Sequence, residues 1–221
     1  MRLCINKSYK KKRVFEGLAL DITEGEITCI LGQSGVGKTT LLRILAGLTD
    51  FEGEADLPKR VAYVFQEPRL LPWLSVAENL AYVGGRYEDM DGVLEKLSLT
   101  ELRDTKVNKL SGGEKQRVAL ARAFLSDAEV MLMDEPFSSV DTALKIRLCE
   151  AFARLWQEKK NTVVAVTHDI EEALMLGHRI VVLKDGAVAL DIRPKREAFP
   201  ARYGAPCAER EILLNTVLEE K

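Results

Sequence analysis

The hydrophobic positions of this chain fall into short runs separated by polar turns, with one long stretch of a different rhythm between them. Residues 3–9, 14–22 and 27–31 read as strands, and Glu24-Gly25 supplies a turn between the last two. Buried-type strands recur at 61–65, 130–134, 162–167 and 179–183, the last three separated by helical stretches. That alternation predicts an α/β layered core with a largely parallel sheet. The Gly-rich segment 32–37 leads into helical spacing of Leu41, Leu42, Leu45 and Ala46, stopped at Gly47. Between 74 and 125 the spacing is helical and strand signals are absent, so a mainly helical lobe is inserted between core strands. After Asp191 the prolines 194, 200 and 206 predict an irregular segment, ending in an amphipathic helix from about 208 to 218.

Composition changes this picture by exclusion. The 221 residues suit one large domain or a core with an inserted lobe, and 47% apolar with 30% charged residues is the balance of a folded chain rather than a disordered one. A formal net charge of −2 argues against a generic nucleic-acid binder. The longest apolar runs, such as 61–65 and 130–133, fall far short of the roughly 18 residues of a membrane span. The N-terminus is basic over 10–13 but is followed by Glu16 and Asp21 and has no apolar signal segment, so a soluble cytoplasmic protein is expected. Cys4, Cys29, Cys149 and Cys207 lack CxxC spacing, which fits reduced thiols, and His168 and His178 are too few for a histidine-rich metal site.

Three motifs carry chemistry. Gly32-Gln33-Ser34-Gly35-Val36-Gly37-Lys38-Thr39 matches G-x-x-x-x-G-K-[ST] between an apolar strand and a helix start. Its glycines let backbone NH groups turn inward on phosphates, Lys38 reaches the β- and γ-phosphates, and the Thr39 hydroxyl can ligate Mg²⁺. Residues 130–135 form an apolar strand ending in two carboxylates, Asp134 to hold Mg²⁺ through a water and Glu135 to polarise an attacking water, the two side chains diverging as neighbours on a strand do. In Leu110-Ser111-Gly112-Gly113-Glu114-Lys115-Gln116-Arg117 the S-x-x-E pair, Ser111 and Glu114, forms a capping box at the head of a helix running to Leu125. Each alone has a bland reading: a tight Gly-rich turn, a strand with a polar end, an ordinary helix start.

Together, in this order and spacing, the motifs resemble those of the ATP-binding cassette (ABC) ATPases, and the resemblance extends over almost the whole chain. It implies a P-loop NTPase core of mainly parallel sheet with an N-terminal antiparallel β region, about 1–73 and 126–195, a helical subdomain at 74–125 and a C-terminal extension at 196–221. By the same resemblance Tyr9 stacks on adenine and Thr40 joins the phosphate contacts. Gln66 is the Q-loop glutamine and a further Mg²⁺ contact, Ser138-Ser139-Val140-Asp141 is the D-loop, and His168 is the switch histidine. Tyr9 could instead be a half-buried strand aromatic, Gln66 an ordinary strand-end amide and His168 a satisfied core histidine. His178 is read as a surface side chain. Glu114 stands where glutamine is frequent; the capping box turns its carboxylate back onto its own helix.

The resemblance also implies a mechanism. Two cassettes sandwich two ATP molecules with Mg²⁺, Ser111 and Gly113 of each completing the other's site, while Gln66 and Asp141 sense loss of the γ-phosphate contacted by His168. Such a subunit lies peripherally on the cytoplasmic face of the membrane, bound to a transmembrane permease and served indirectly by an extracytoplasmic solute-binding protein. Residues 64–74, Val-Phe-Gln-Glu-Pro-Arg-Leu-Leu-Pro-Trp-Leu, with Ala77-Glu78-Asn79, look like the importer branch for nitrate, sulfonate, taurine, bicarbonate or thiamine precursors. The segments 53–60 and 73–110 are shorter than usual there, and Val107-Asn108-Lys109 replaces a frequent His-Gln. An export or lipid-extraction cassette is the alternative. A DNA-repair or translation cassette lacks support because neither a coiled-coil insertion nor a second cassette is present, and a P-loop kinase or GTPase does not explain the signature helix.

Overall fold

The computed structural model describes residues 1–10, 12–84, 87–138 and 140–218, without the side chains of Tyr87 and Glu88; Lys11 of the basic N-terminal stretch and Ser139 of the D-loop lie outside it. Two sheets stack through their apolar faces. The first holds β1 (Arg2–Tyr9), β2 (Lys12–Asp21) and β4 (Glu52–Ala55) in the order β2-β1-β4, antiparallel throughout. The second holds β3 (Ile27–Leu31), β5 (Val61–Val64), β6 (Val130–Asp134), β7 (Thr162–Val166), β8 (Arg179–Lys184) and β9 (Ala187–Ile192) in the order β5-β6-β7-β3-β8-β9. Its pairs are parallel except β8 with β9.

Of the inner strands, β3, β6 and β7 are buried at every residue, because both faces of a parallel sheet are covered. Their side chains alternate between two cores. Ile30, Leu132 and Val164 face α1 (Lys38–Leu45) and the antiparallel sheet, in a cluster with Leu3, Ile5, Phe15, Leu41 and Leu42. Cys29, Met131 and Val163 face the opposite cluster, built on α4 (Gly112–Leu125), α5 (Thr142–Lys159) and α6 (Ile170–Leu176). The lobe, which also contains α2 (Val76–Ala81) and α3 (Tyr87–Lys96), contributes Val76, Leu80, Met90 and Leu94 to this same cluster, so it shares a core with the sheet.

Two strands escaped the sequence pattern. β4, Glu-Gly-Glu-Ala, has no apolar run and exists because the free edge of β1 recruits it. β9 was not among the expected strands, although Val188, Leu190 and Ile192 alternate with exposed positions and Asp185-Gly186, both at positive φ, is a dipeptide suited to a tight hairpin turn with β8. The expected C-terminal helix is present as α7 (Glu209–Leu218), but it is not cleanly amphipathic: Leu213 alone is fully buried, while Ile212, Leu214 and Leu218 are exposed. Arg210 anchors α7 through a forked ion pair to Glu171 on α6, at 2.6 and 3.0 Å. His178 is a correction of the surface reading. It is half-buried with its ring 4.6 Å from both Trp156 and Phe199, and its Nδ1 accepts a hydrogen bond from the Ile27 amide.

Candidate nucleotide site

The end of β3 and the start of α1 place the Gly32–Thr39 segment at the carboxyl edge of the parallel sheet, where α/β folds gather their ligand contacts. Gly37 holds φ 113°, and a Cβ there would lie 2.7 Å from Val14 and 2.8 Å from Phe15, so the antiparallel sheet presses directly on the loop. Lys38 is nearly buried, and its ammonium donates to the carbonyls of Gly32 at 2.6 Å and Gln33 at 3.1 Å. Burial pulls its pKa below the usual lysine value, while Glu135 and Asp134 oppose that shift.

The Thr39 hydroxyl donates to Asp134 at 3.1 Å, so two of the three expected Mg²⁺ residues meet across 95 positions of sequence. The other Asp134 oxygen accepts from the Tyr63 hydroxyl at 3.1 Å, a contact with no signal in the sequence. Burial raises the Asp134 pKa and hydrogen bonds from Thr39 and Tyr63 hold it back, which suits a carboxylate kept oriented for a hard cation.

Glu135 diverges from Asp134 for a different reason than strand alternation. β6 stops at Asp134, and Glu135 adopts φ 46°, the left-handed region that a non-glycine residue enters at a cost. Its amide donates to Val166 of β7 at 2.9 Å, and its carbonyl accepts from the Ser138 amide and hydroxyl. The carboxylate is thereby aimed at His168, whose Nδ1 lies 3.2 Å away.

A cleft is lined by Tyr9, Lys12, Val14, Ser34, Gly35, Gly37, Lys38, Thr39, Thr40 and Glu135. Tyr9 stands at its mouth with the Lys7 ammonium 4.8 Å from the ring centroid; hydrogen bonding to Thr49 pulls its pKa down, burial opposes this, and Thr40 adds a smaller lowering. Lys12 and Val14 were not expected here; they arrive because β2 lies over the phosphate loop. Gly32, Gln33 and Val36 face a neighbouring crevice instead, where the Gln33 amide donates to the Val217 carbonyl of α7 at 3.2 Å.

The remaining expected residues lie apart from the cleft. Gln66 is exposed and its amide reaches the Ser138 hydroxyl at 3.5 Å; among the described residues it makes no hydrogen bond to Thr39 or Asp134. Asp141 caps α5, accepting from the Leu144 amide at 3.0 Å. Ser111 and Glu114 form the full capping box, Glu114 Oε2 accepting from the Ser111 amide at 2.7 Å and its hydroxyl at 2.8 Å. The Ser111 backbone bond is the chief reason that the Glu114 carboxyl titrates below its ordinary value. Gly113 packs under α5, where a Cβ would lie 3.0 Å from Leu144. None of the residues lining the cleft comes from α4.

Comparison with known proteins agrees with this geometry. The family model described as ABC transporter matches residues 15–138. An aliphatic sulfonates import ATP-binding protein SsuB of Granulibacter bethesdensis is 44% identical over 191 residues, 85% of this chain and 80% of the relative. SsuB 1 of Pseudomonas fluorescens is 42% identical over 205 residues, 89% and 79% of the two chains. Among solved structures, cbiO1 from Clostridium perfringens, part of the ABC transporter complex cbiONQ, aligns with a TM-score of 0.76 at 25% identity over 86% of each chain. A dimeric ATP-binding cassette in a post-hydrolysis state, bound to ADP and Pi, aligns with a TM-score of 0.72 at 32% identity, over 87% of this chain and 97% of the other. By sequence match, fold and the arrangement of its phosphate loop, this chain belongs to the ABC transporter family, as one of its ATP-hydrolysing cassettes.

Proposed function

We propose that the chain is the ATP-driven subunit of an importer, in which two copies close around two Mg·ATP and transmit closure to a transmembrane permease. The observation that carries this reading is the composition of the cleft: the phosphate loop, Thr39 and Glu135 converge on one cleft edge, and the signature helix α4 supplies nothing to it. In this reading the second helix N-terminus, with Ser111 and Gly113, comes from another copy. Tyr9 stacks on the base, the amides of residues 32–37 with Lys38 and Thr40 hold the phosphates, and Glu135 orients the attacking water. His168 contacts the γ-phosphate, and Gln66 and Asp141 sense its loss.

The oxygens of Thr39 and Asp134, already paired, are hard donors that fit Mg²⁺, with Gln66 joining from the lobe side on closure. Bound there, the cation would neutralise charge on the β- and γ-phosphates. Permease docking falls to residues 68–74, where Trp73 is 65% exposed instead of filling the lobe core. Fully buried Asn79 shapes this loop, accepting from the Leu71 amide at 2.8 Å and donating to the carbonyls of Leu71 at 3.0 Å and Ser75 at 2.9 Å. Among the described residues no helix is long and apolar enough to cross a membrane; in this reading the permease holds the subunit at the cytoplasmic face. The SsuB relatives favour an organic sulfonate as the solute, presented by a separate binding protein. Reconstitution with the membrane protein that co-purifies from detergent extracts tests the reading: ATP turnover should rise with a sulfonate and its binding protein, and an unresponsive complex would refute import of that solute class.

A further inference from the structure

His168 is carried on a three-residue shoulder whose other two side chains are pinned from beneath. Thr167, at the end of β7, is buried; its hydroxyl donates to Glu172 Oε2 at 3.1 Å and accepts from the Asp169 amide at 3.1 Å. Asp169 caps α6 through the Glu171 and Glu172 amides and receives the Lys145 ammonium of α5 at 2.6 Å. The imidazole between them meets Glu135 at 3.2 Å. Glu172 is thus the buried footing of a turn that ends in the catalytic pair. Only 2% of it is exposed, and its Oε1 has no hydrogen-bond partner among the described residues.

We propose that Glu172 is a positioning residue for His168: by holding the Thr167 hydroxyl it sets the turn that places the imidazole against Glu135. It performs this role as the uncharged acid. The groups that face it are Asp169 on its own helix, Lys145 and Cys149 of α5, Cys29 of β3 and Glu135 beyond β6. Burial, then Asp169, raises its pKa to about 8 against the Thr167 bond and Lys145, which oppose the shift. Burial keeps the two thiols neutral as well. Ionisation at alkaline pH therefore leaves a negative charge with one unsatisfied oxygen in the core, and the least costly relief is movement of the Thr167–Asp169 turn.

The inference rests on His168 acting at the γ-phosphate, and H168A tests that separately: unchanged turnover in H168A would refute the reading of the histidine itself. The test of Glu172 is ATPase kinetics of E172Q, E172A and T167V from neutral to alkaline pH, with melting temperatures. Glu172→Gln keeps an acceptor for Thr167 and does not ionise, so its kcat should match wild type at neutral pH and lack the alkaline decline of wild type. Glu172→Ala and Thr167→Val should each lower kcat by about tenfold with little change in KM, and the double variant should be no worse than either single one. An alkaline decline retained in E172Q, or losses that add in the double variant, would overturn the proposal even if H168A is inactive. Should E172A fail to fold, E172Q and T167V still decide the matter.

Discussion

The Glu135 carboxylate stands 3.2 Å from Nδ1 of His168, although 33 positions separate them. Both residues hang from the end of β7: the Glu135 amide bonds to Val166, and Thr167 bonds by its amide to Ile30 of β3. In the proposed role of base, the Glu135 carboxylate needs a partner that fixes its rotamer, and the left-handed turn there makes that partner the histidine instead of the neighbouring Asp134.

Replacing Glu135 by glutamine preserves shape and removes the proposed base. ATP binding should persist while kcat falls by about 10²-fold or more, and the variant with Mg·ATP should run as a dimer in size-exclusion chromatography. Turnover at the wild-type rate would move the base role elsewhere.

Because the cleft contains no residue of α4, hydrolysis by the isolated chain should rise more steeply than linearly with protein concentration. Ser111→Ala should lower turnover without weakening ATP binding to the monomer. Constant specific activity down to concentrations where sizing shows monomer alone would contradict completion of the site by a second copy.

His178 gives a stability prediction with a definite sign. Burial, with Arg196 adding to it, depresses its folded pKa below the unfolded value near 6.5. The unfolded chain therefore takes up the proton first as pH falls, so stability is full above that value and is lost between the unfolded and folded pKa values. His178→Gln, which can still accept from Ile27 but does not titrate, should flatten this acid decline in denaturant melts. An unchanged decline would assign it to other groups.

Trp73 and Leu71 flank Pro72 on a loop held from below by Asn79. Changing both to serine should leave melting temperature and basal ATPase near wild type, since Trp73 faces outward, while co-purification with the membrane subunit is lost. A collapse in melting temperature would assign these side chains to the core instead.

Gln116 of α4 is fully buried, and neither its carbonyl oxygen nor its amide nitrogen has a partner among the described residues. Substituting methionine, similar in length and without the desolvation penalty, should stabilise the chain by about 1 kcal/mol. A loss of stability would reveal a hydrogen bond made by that amide.

What the sequence determined by itself is local. The strands at 27–31 and 130–134 coincide with β3 and β6 because a strand buried on both faces leaves a continuous apolar run. The Ser111–Glu114 box closes within three residues, so its spacing suffices to read it. The Gly32–Thr39 loop between β3 and α1 was legible for the same reason, its residues being successive. Tertiary structure decided which distant segments meet, through a strand order that sets β3 between β7 and β8. It brought Tyr63 to Asp134, Val217 to Gln33 and Lys12 to the cleft, and enclosed His178 between Trp156 and Phe199. No periodicity encodes such pairs, since each depends on how two faces pack after the chain has folded. Glu172 shows the limit most plainly: its spacing marks it as an ordinary first-turn helical acid, and only closure of the core over it makes it a buried one.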